Sequence, residues 1–231
     1  MQNTSATYNA LLAAGAPKEV RVIIAGTTYT QAKIVSATTK AALFEKAATV
    51  GNAVAKEFDL VLRNYGEIPR MAQIQVQFRL NDGTTQSEWL PKGTYFIDTR
   101  DEGNGVISIV AYDAMLKADQ DYATSGSQSG WPKTDLQVVN AICSRIGVTL
   151  DSRTAAILTN GYQIQFPGFG DGAYTMRELL QFIASMYAGN FWITDENKLM
   201  LVGLGDFPPE TNYLVTENGD YILIGGYRIL V

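Results

Sequence analysis

The strictest pattern in the chain is an alternation of polar and apolar residues over residues 73–80 (QIQVQFRL). The apolar positions of this alternation are Ile74, Val76, Phe78 and Leu80. A period of two predicts a β-strand that buries one face and exposes the other. Asn81-Asp82-Gly83 follows at once and supplies residue types that adopt the positive φ angles of a tight hairpin turn.

This alternation lies inside a longer β-rich region. Further strands are predicted, from β-branched and aromatic residues between turn signals, at 19–25, 32–39, 52–64, 84–90, 94–99 and 106–112. From residue 73 to residue 112 the strands follow one another as an antiparallel meander. Such a sheet either closes on itself or needs partners along its edges. A short helix capped by Ser5 precedes the sheet.

The second half of the chain changes to helical periodicity. Thr134 with Gln137, and Thr175 with Glu178, match the pattern of a capping box, so we predict a helix after each threonine. On the second of these helices five side chains are expected to face the core: Leu179, Leu180, Ile183, Met186 and Tyr187. The remaining predictions are a short helix at 114–120, a hairpin of 190–194 with 198–203, and a hairpin of 213–216 with 221–231.

A composition shift divides the chain. The segment TSGSQSGWP, residues 124–132, is rich in Ser and Gly and is typical of a connector. We therefore predict a β-rich domain over residues 1–122, a connector over 123–133 and a second α+β domain over 134–231. The fold class is α+β, with antiparallel β-meander or barrel-like tube domains flanked by short helices. The apolar strand predicted at 221–231 has no polar tail, so we expect the second domain to continue in a longer protein.

The amino-acid composition excludes several classes of function. Histidine is absent from the 231 residues, which excludes Ser-His-Asp systems and His-ligated zinc. The formal net charge of −5 opposes binding to nucleic acid, which requires a basic surface. We also expect no membrane span and no signal peptide, because the sequence has no long apolar run and no basic N-terminal region.

One glycine-rich segment could carry chemistry. Gly168–Gly172 precedes a helix and could bind an anion, but it lacks the Lys and Ser/Thr of a phosphate-binding loop. Asp171 and Glu178 would also repel a phosphate, so a flexible connector explains the segment better. Cys143 lies in the apolar stripe of a predicted helix and is predicted to be a buried free thiol.

Three groups of carboxylates lie close together in sequence: Asp98, Asp101 and Glu102; Asp119 and Asp121; Asp195 and Glu196. None has the spacing of a calcium-binding loop, and the paired carboxylates of a glycosidase come from separate elements that face a cleft. Charges of this kind usually solvate turns. The sequence therefore predicts no catalytic residue, no cofactor and no metal site.

The tryptophans are compatible with more than one role. Trp89, Trp131 and Trp192, with twelve tyrosines, would suit a sugar-binding platform, a β core or a subunit interface. Trp131 stands in the Ser/Gly connector, which offers little core to bury an indole. It is therefore our candidate for a contact with a neighbouring subunit.

The stretch from Trp89 to Tyr122 resembles the tail hub (tail-tip or baseplate hub) proteins of bacteriophages and prophages. In that family a strand ending in Gly-x-Tyr-x-Ile-Asp is followed by a hairpin and then by Tyr-Asp-x-Met-Leu. The matching residues are Gly93, Tyr95, Ile97, Asp98, Tyr112, Asp113, Met115 and Leu116. The segments 51–70 and 175–202 look similar too. Glu196-Asn197 departs from the Asp-Gly of the family, which affects one turn.

This resemblance implies tube-like β domains flanked by helices, in a virion protein that is made in the host cytoplasm and is not an enzyme. Three copies would form a ring that continues the tail tube and seats a spike or fibre, and an acidic wall would suit a conduit through which DNA slides. No functional residue carries over, because the motifs are structural. Two alternatives remain: a carbohydrate-binding or adhesin module of a phage tail, and the non-catalytic part of a tail-associated peptidoglycan hydrolase.

Overall fold

The computed structural model describes residues 4–41, 49–123, 128–168, 170 and 172–203, and the backbone of 223–224 and 227–228. Most of the sequence between 40 and 51 lies outside these residues, as does the strand predicted at 213–216. Leu223–Ile224 pairs antiparallel with Tyr227–Arg228. The prediction of one continuous strand over 221–231 is therefore wrong.

Seven strands form one curled, antiparallel half-barrel sheet, which confirms the predicted fold class. They are β1 (Lys18–Ile24), β2 (Thr27–Thr30), β3 (Ile34–Lys40), β5 (Glu57–Arg63), β6 (Gln73–Leu80), β7 (Leu90–Gly103) and β8 (Val106–Asp113), with β4 (Asn52–Ala53) in another sheet. Their order across the sheet is β2-β1-β6-β7-β8-β5-β3. The short β2 and the longer β3 are therefore the two edges.

The alternation in β6 has the predicted consequence. Ile74, Val76 and Leu80 are buried and Phe78 is half-buried, whereas Gln73 and Gln75 on the other face are exposed. The buried face belongs to the first hydrophobic cluster, whose members are Val22, Ile24, Tyr29, Phe58, Leu60, Leu62, Ile68, Ile74, Val76, Tyr95, Ile97, Ile107, Ile109 and Ala111. Period-two patterning thus determines which face of the sheet excludes water.

The strand predicted at 84–90 does not form. The Asp82 side chain accepts hydrogen bonds from the backbone N–H groups of Thr84 and Thr85, which diverts them from a strand ladder. β7 begins only at Leu90 and runs without interruption to Gly103. Gly93 makes this continuity feasible, because its φ is +134° and a Cβ there would lie 2.7 Å from the Tyr95 ring.

Two other strand predictions need correction. The strand expected near 32–39 forms as β3, but it pairs with β5 and not with β1; the partner of β1 is β2, which lies where a turn was expected. The strand expected at 52–64 is divided between β4 and β5, which belong to different sheets. The pairing of β3 with β5 and the division of 52–64 both depend on contacts between distant segments, which local patterns do not encode.

The second half packs around a smaller sheet. Its strands, in the order β10-β13-β12-β4, are β10 (Thr149–Leu150), β13 (Lys198–Gly203), β12 (Gly189–Ile193) and β4, while β9 (Lys133–Thr134) pairs separately with β11 (Gln163–Ile164). The helices are α1 (Ala6–Ala13), a 3-10 helix (Ala114–Asp119), α2 (Asp135–Ile146), α3 (Ser152–Ile157) and α4 (Met176–Met186). Within the described part of the chain, no helix combines the length and the hydrophobicity that a membrane span needs.

Capping residues determine where the helices begin. Ser5 caps α1, and Thr134 and Thr175 form complete capping boxes with Gln137 and Glu178, as predicted. The second hydrophobic cluster comprises Ala53, Ala114, Met115, Ala118, Tyr122, Val138, Val139, Ile142, Cys143, Ile146, Val148, Leu158, Ile164, Met176, Leu179, Leu180, Ile183, Ala184, Phe191, Ile193, Leu199 and Leu201. It includes side chains from before residue 123 as well as after it.

The cluster confirms most of the predicted core positions of the second half. Cys143 is a buried free thiol, and burial raises its pKa to about 12. Leu179, Leu180 and Ile183 are buried, and Tyr187 is half-buried. The prediction for Met186 is wrong, since this side chain is 36% exposed at the last residue of α4, where the chain leaves the helix for β12.

Neighbouring residues on α4 provide a matched test of this packing. Ile183→Ala is expected to lower the free energy of unfolding by about 2–5 kcal/mol, because it leaves a cavity beneath the helix. Phe182→Ala, one residue away on the 60% exposed side, is expected to change it by less than about 0.5 kcal/mol. Urea denaturation of both variants measures the difference. Equal losses would show that α4 does not pack as described.

Candidate functional site

The two sheets are joined through the carboxylate of Asp195, which lies in the turn between β12 and β13. Its Oδ1 accepts a hydrogen bond from Lys56 Nζ at 2.8 Å, and its Oδ2 accepts one from Lys92 Nζ at 2.8 Å. Lys92 is the extra residue of a β-bulge in β7, a device that redirects a side chain out of the regular pleat. One carboxylate at the end of the four-stranded sheet therefore binds two lysines that belong to, or directly precede, strands of the seven-stranded sheet.

Lys56 is the most unusual of these residues, because it is only 4% exposed. It has the same sequence parity as Phe58, Leu60 and Leu62, which point into the first hydrophobic cluster. A charged residue at a core-facing parity is a signal in the sequence, and our sequence reasoning missed it. Burial of an ammonium group is tolerated only when it has a charged or hydrogen-bonding partner, and Asp195 supplies one.

Asp113 completes this junction from the end of β8. Its Oδ1 accepts the backbone N–H of Met115 at 3.0 Å, and its Oδ2 accepts that of Lys56 at 3.1 Å. The carboxylate thus caps the 3-10 helix and also fixes the start of β5. Burial raises the pKa of Asp113 to about 6, although these hydrogen bonds act in the opposite direction.

A cavity of about 230 Å³ opens beside the junction. The β12–β13 hairpin lines it with Trp192, Thr194, Asp195, Glu196 and Met200, and the start of α3 contributes Asp151 and Arg153. The structure thus brings Trp192 together with Asp195 and Glu196, which the sequence presented as separate candidates. All three residues belong to one hairpin: Asp195 and Glu196 lie in its turn, and Trp192 pairs with Met200 across its two strands.

Every carboxylate of this cavity has a cationic partner. Arg153 donates to Oδ1 and Oδ2 of Asp151, each at 2.9 Å, and this bidentate pair lowers the pKa of Asp151 to about 2. Lys198 Nζ lies 2.6 Å from a carboxylate oxygen of Glu196. The indole Nε1–H of Trp192, by contrast, is buried and has no hydrogen-bond partner among the described residues.

The other carboxylate groups lie elsewhere. Asp98, Asp101 and Glu102 are exposed along β7, and Asp119 forms an ion pair with Arg177 of α4. Asp121 forms an isolated bridge with the residue that caps α4. Among the described residues, no three Cys, Asp or Glu side chains are grouped closely enough to hold a metal ion. Two members of the glycine-rich segment, residues 169 and 171, are outside the described part of the chain.

Trp131 has partners within the chain. Its ring meets those of Tyr122 and Phe166 edge to face, with centroid distances of 5.7 and 5.8 Å, and Lys133 Nζ lies 4.9 Å from it. The expectation was that the connector offers little core for this indole, but residues before and after the connector supply aromatic partners. Its contact with a neighbouring subunit stays a prediction.

The edges of the seven-stranded sheet are a second feature of the surface. Neither β2 nor β3 has a second partner strand within the described ranges. On β3, Val35 is the extra residue of a β-bulge and is 56% exposed, while Lys40 at the other end forms ion pairs with Glu57 and Asp59. An unpaired edge offers backbone donors and acceptors to another chain.

Comparison with solved structures identifies phage tail proteins with a similar chain path. The 43 kDa tail protein of prophage MuSo2 from Shewanella oneidensis matches 81% of this chain and 56% of its own, at 17% identity and a TM-score of 0.52. A tail protein from Neisseria meningitidis MC58 matches 80% of this chain and 51% of its own, at 14% identity and a TM-score of 0.47. Prophage tail protein gp18 from Listeria monocytogenes EGD-e matches 80% and 50%, at 13% identity and a TM-score of 0.44.

The chain therefore shares the fold of the MuSo2 tail protein. It spans about half the length of the solved structures that it matches. No family model matches the sequence, and no curated protein matches it significantly.

The raised pKa of Asp113 makes the stability of the fold depend on pH. The ordinary value is 3.8 and the folded value is about 6, so the folded chain binds this proton more tightly than the unfolded chain. The resulting stabilisation is fully present below about pH 4 and is lost as the pH rises through 6.

Asp113→Asn removes the titrating group and should remove this dependence. Between about pH 7.5 and pH 4 we expect the wild type to gain roughly 2–3 kcal/mol relative to the variant, measured by urea denaturation at each pH. Asp98→Asn, at an exposed carboxylate, is the control and should follow the wild type. Parallel curves for Asp113→Asn and the wild type would contradict a buried, protonatable junction.

Proposed function

We propose that the chain is a structural component of a bacteriophage or prophage tail tip or baseplate. Three copies form a ring, or hub, that joins the tail tube to a spike or fibre. The observation that carries this proposal is the fold shared with the MuSo2 tail protein over 81% of the chain. The sequence motif around Asp113 adds to it, because the structure gives that motif a purely structural role as the cap of the 3-10 helix.

The two edges of the half-barrel sheet have no further partner strand among the described residues, and this supports a ring. If β3 of one subunit lies beside β2 of the next, each interface uses two different surfaces, and a suitable rotation closes the assembly. Backbone groups left unpaired in one subunit then find partners in its neighbours. The exposed Val35 on β3 is an apolar side chain that such a contact would cover.

The charge of the chain fits a conduit. A formal net charge of −5 gives DNA no release of counterions on contact, so DNA can pass without sequence-specific binding. The remaining partners are the tube, spike and fibre proteins of the tail. The protein is made in the host cytoplasm and resides in the virion, and Trp131 remains the candidate side chain for a subunit contact.

A structural role also agrees with the environment of the perturbed groups. Strongly shifted pKa values often mark catalytic residues, and Asp113 has the most raised carboxyl pKa that is resolved in the described chain. Both of its oxygens accept backbone N–H groups, however, and the residue is fully buried. A substrate cannot reach it, and the absence of histidine leaves few other acid–base groups.

We also propose that the chain divides as its sequence predicts, into residues 1–122, a connector at 123–133 and residues 134–231. Limited digestion with an unspecific protease is expected to cut within the connector. The two fragments should still elute together in gel filtration, since Met115 and Tyr122 of the first pack in the cluster of the second. Fragments that separate under native conditions would contradict this division.

The edge contact can be tested by one charge and a matched control. In the full-length protein, Val35→Lys is expected to weaken ring formation by at least about tenfold in subunit concentration, because a charge at an edge opposes strand addition. Leu12→Lys places the same charge at a 57% exposed position on α1, which packs on β6 and not on an edge. It should leave assembly unchanged.

Light scattering over a range of concentrations measures the mass of both variants, and a peptidoglycan-release assay runs beside it. A wild type that is strictly monomeric at full length and hydrolyses cell wall would overturn the hub proposal. A ring that forms equally well with Val35→Lys would keep the hub and exclude the β3 edge from it.

A further inference from the structure

We propose that the cavity between the β12–β13 hairpin and the start of α3 binds one ring of a neutral cyclic polyol, such as a pyranose sugar. This inference goes beyond the assembly role and does not depend on it. It concerns Trp192 and Glu196, to which the tail-hub proposal assigns no role, and Asp195, which also joins the two sheets. The structure, and not the sequence, places them around one space.

The size and walls of the cavity suit such a ring. A volume of about 230 Å³ is below the range of sites for drug-sized ligands and matches a single small ring. Trp192 and Met200 form an apolar part of the wall, against which the C–H face of a sugar can pack. Lys56 Nζ lies 5.8 Å from the centroid of the Trp192 ring and helps to fix its position.

The polar groups of the cavity place hydrogen-bond acceptors beside hydrogen-bond donors, and a hydroxyl group can use both. Each carboxylate oxygen has lone pairs beyond those used by its cation, and Arg153 has N–H groups beyond the two that bind Asp151. A hydroxyl both donates and accepts, so neighbouring hydroxyls of a polyol can donate to Asp151 and accept from Arg153 together. Thr194 adds a hydroxyl at the same wall.

The ion pairs of the cavity favour a neutral ligand over a cation. Its three carboxylates already pair with four cations, namely Arg153, Lys56, Lys92 and Lys198. A bound cation would have to displace one of these partners. A neutral polyol can instead be added to the existing ion pairs as a further hydrogen-bonding partner.

The test is saturation-transfer and titration NMR on the full chain with three probes: N-acetylglucosamine, methyl glucoside and myo-inositol. We expect at least one to bind with a Kd on the order of millimolar, as suits a ligand of so few atoms. Trp192→Phe keeps a ring but reduces the apolar wall of the cavity and should weaken binding about threefold. Trp131→Phe, at an indole outside the cavity, should bind as the wild type does.

Arg153→Gln is a second variant that removes a half-exposed side chain and keeps the test decisive if Trp192→Phe does not fold. It should also weaken binding, because its donors for the hydroxyls are lost. Absence of binding by all three probes, binding of sulfate in their place, or equal losses in Trp131→Phe and Trp192→Phe would overturn the proposal. Ring formation, measured by mass on the same samples, is an independent readout, so the two proposals can fail separately.

Discussion

The structure depends on how two buried charges are satisfied where the two hydrophobic clusters meet. Asp113 and Lys56 are almost completely removed from water, and an unpaired charge in such a place is strongly destabilising. Their partners come from different parts of the chain: the 3-10 helix, the start of β5 and the β12–β13 hairpin. The sheets therefore cannot shift against each other without leaving a charge uncompensated, and this junction fixes their mutual orientation.

Asp195 connects this junction with the surface. The same carboxylate that holds Lys56 and Lys92 also lines the cavity beside Trp192. A side chain with both duties is held in place before any ligand arrives, which reduces the ordering cost of binding. Asp113, in contrast, is buried, so a ligand cannot reach its oxygens. A shifted pKa does not make a site where the group is inaccessible to a ligand.

The sequence predicted those features that short-range rules determine. The alternation at residues 73–80, the capping boxes at Thr134 and Thr175, and the buried Cys143 all occur as expected, since each depends on neighbours within one element. The strand at 84–90 failed because the side chain of Asp82 captured its backbone donors.

The cavity could not be predicted, because it joins α3 to a hairpin some forty residues away and depends on how both pack. The surroundings of Trp131 were missed for the same reason. Lys56 is different: its parity with Phe58 and Leu60 was visible in the sequence, but only the structure shows which carboxylate justifies a lysine there.

The bulge at Val35 also affects how a single subunit would behave before the proposed ring forms. It interrupts the regular ladder of β3 near one end, and the ion pairs of Lys40 occupy the other, so a foreign strand finds a regular template only over a few residues. Short, twisted and charged edges are the means by which β proteins avoid uncontrolled aggregation. In the ring that we propose, a newly made subunit with such an edge would resist aggregation while it is alone, and only a partner shaped for the bulge would gain the full contact.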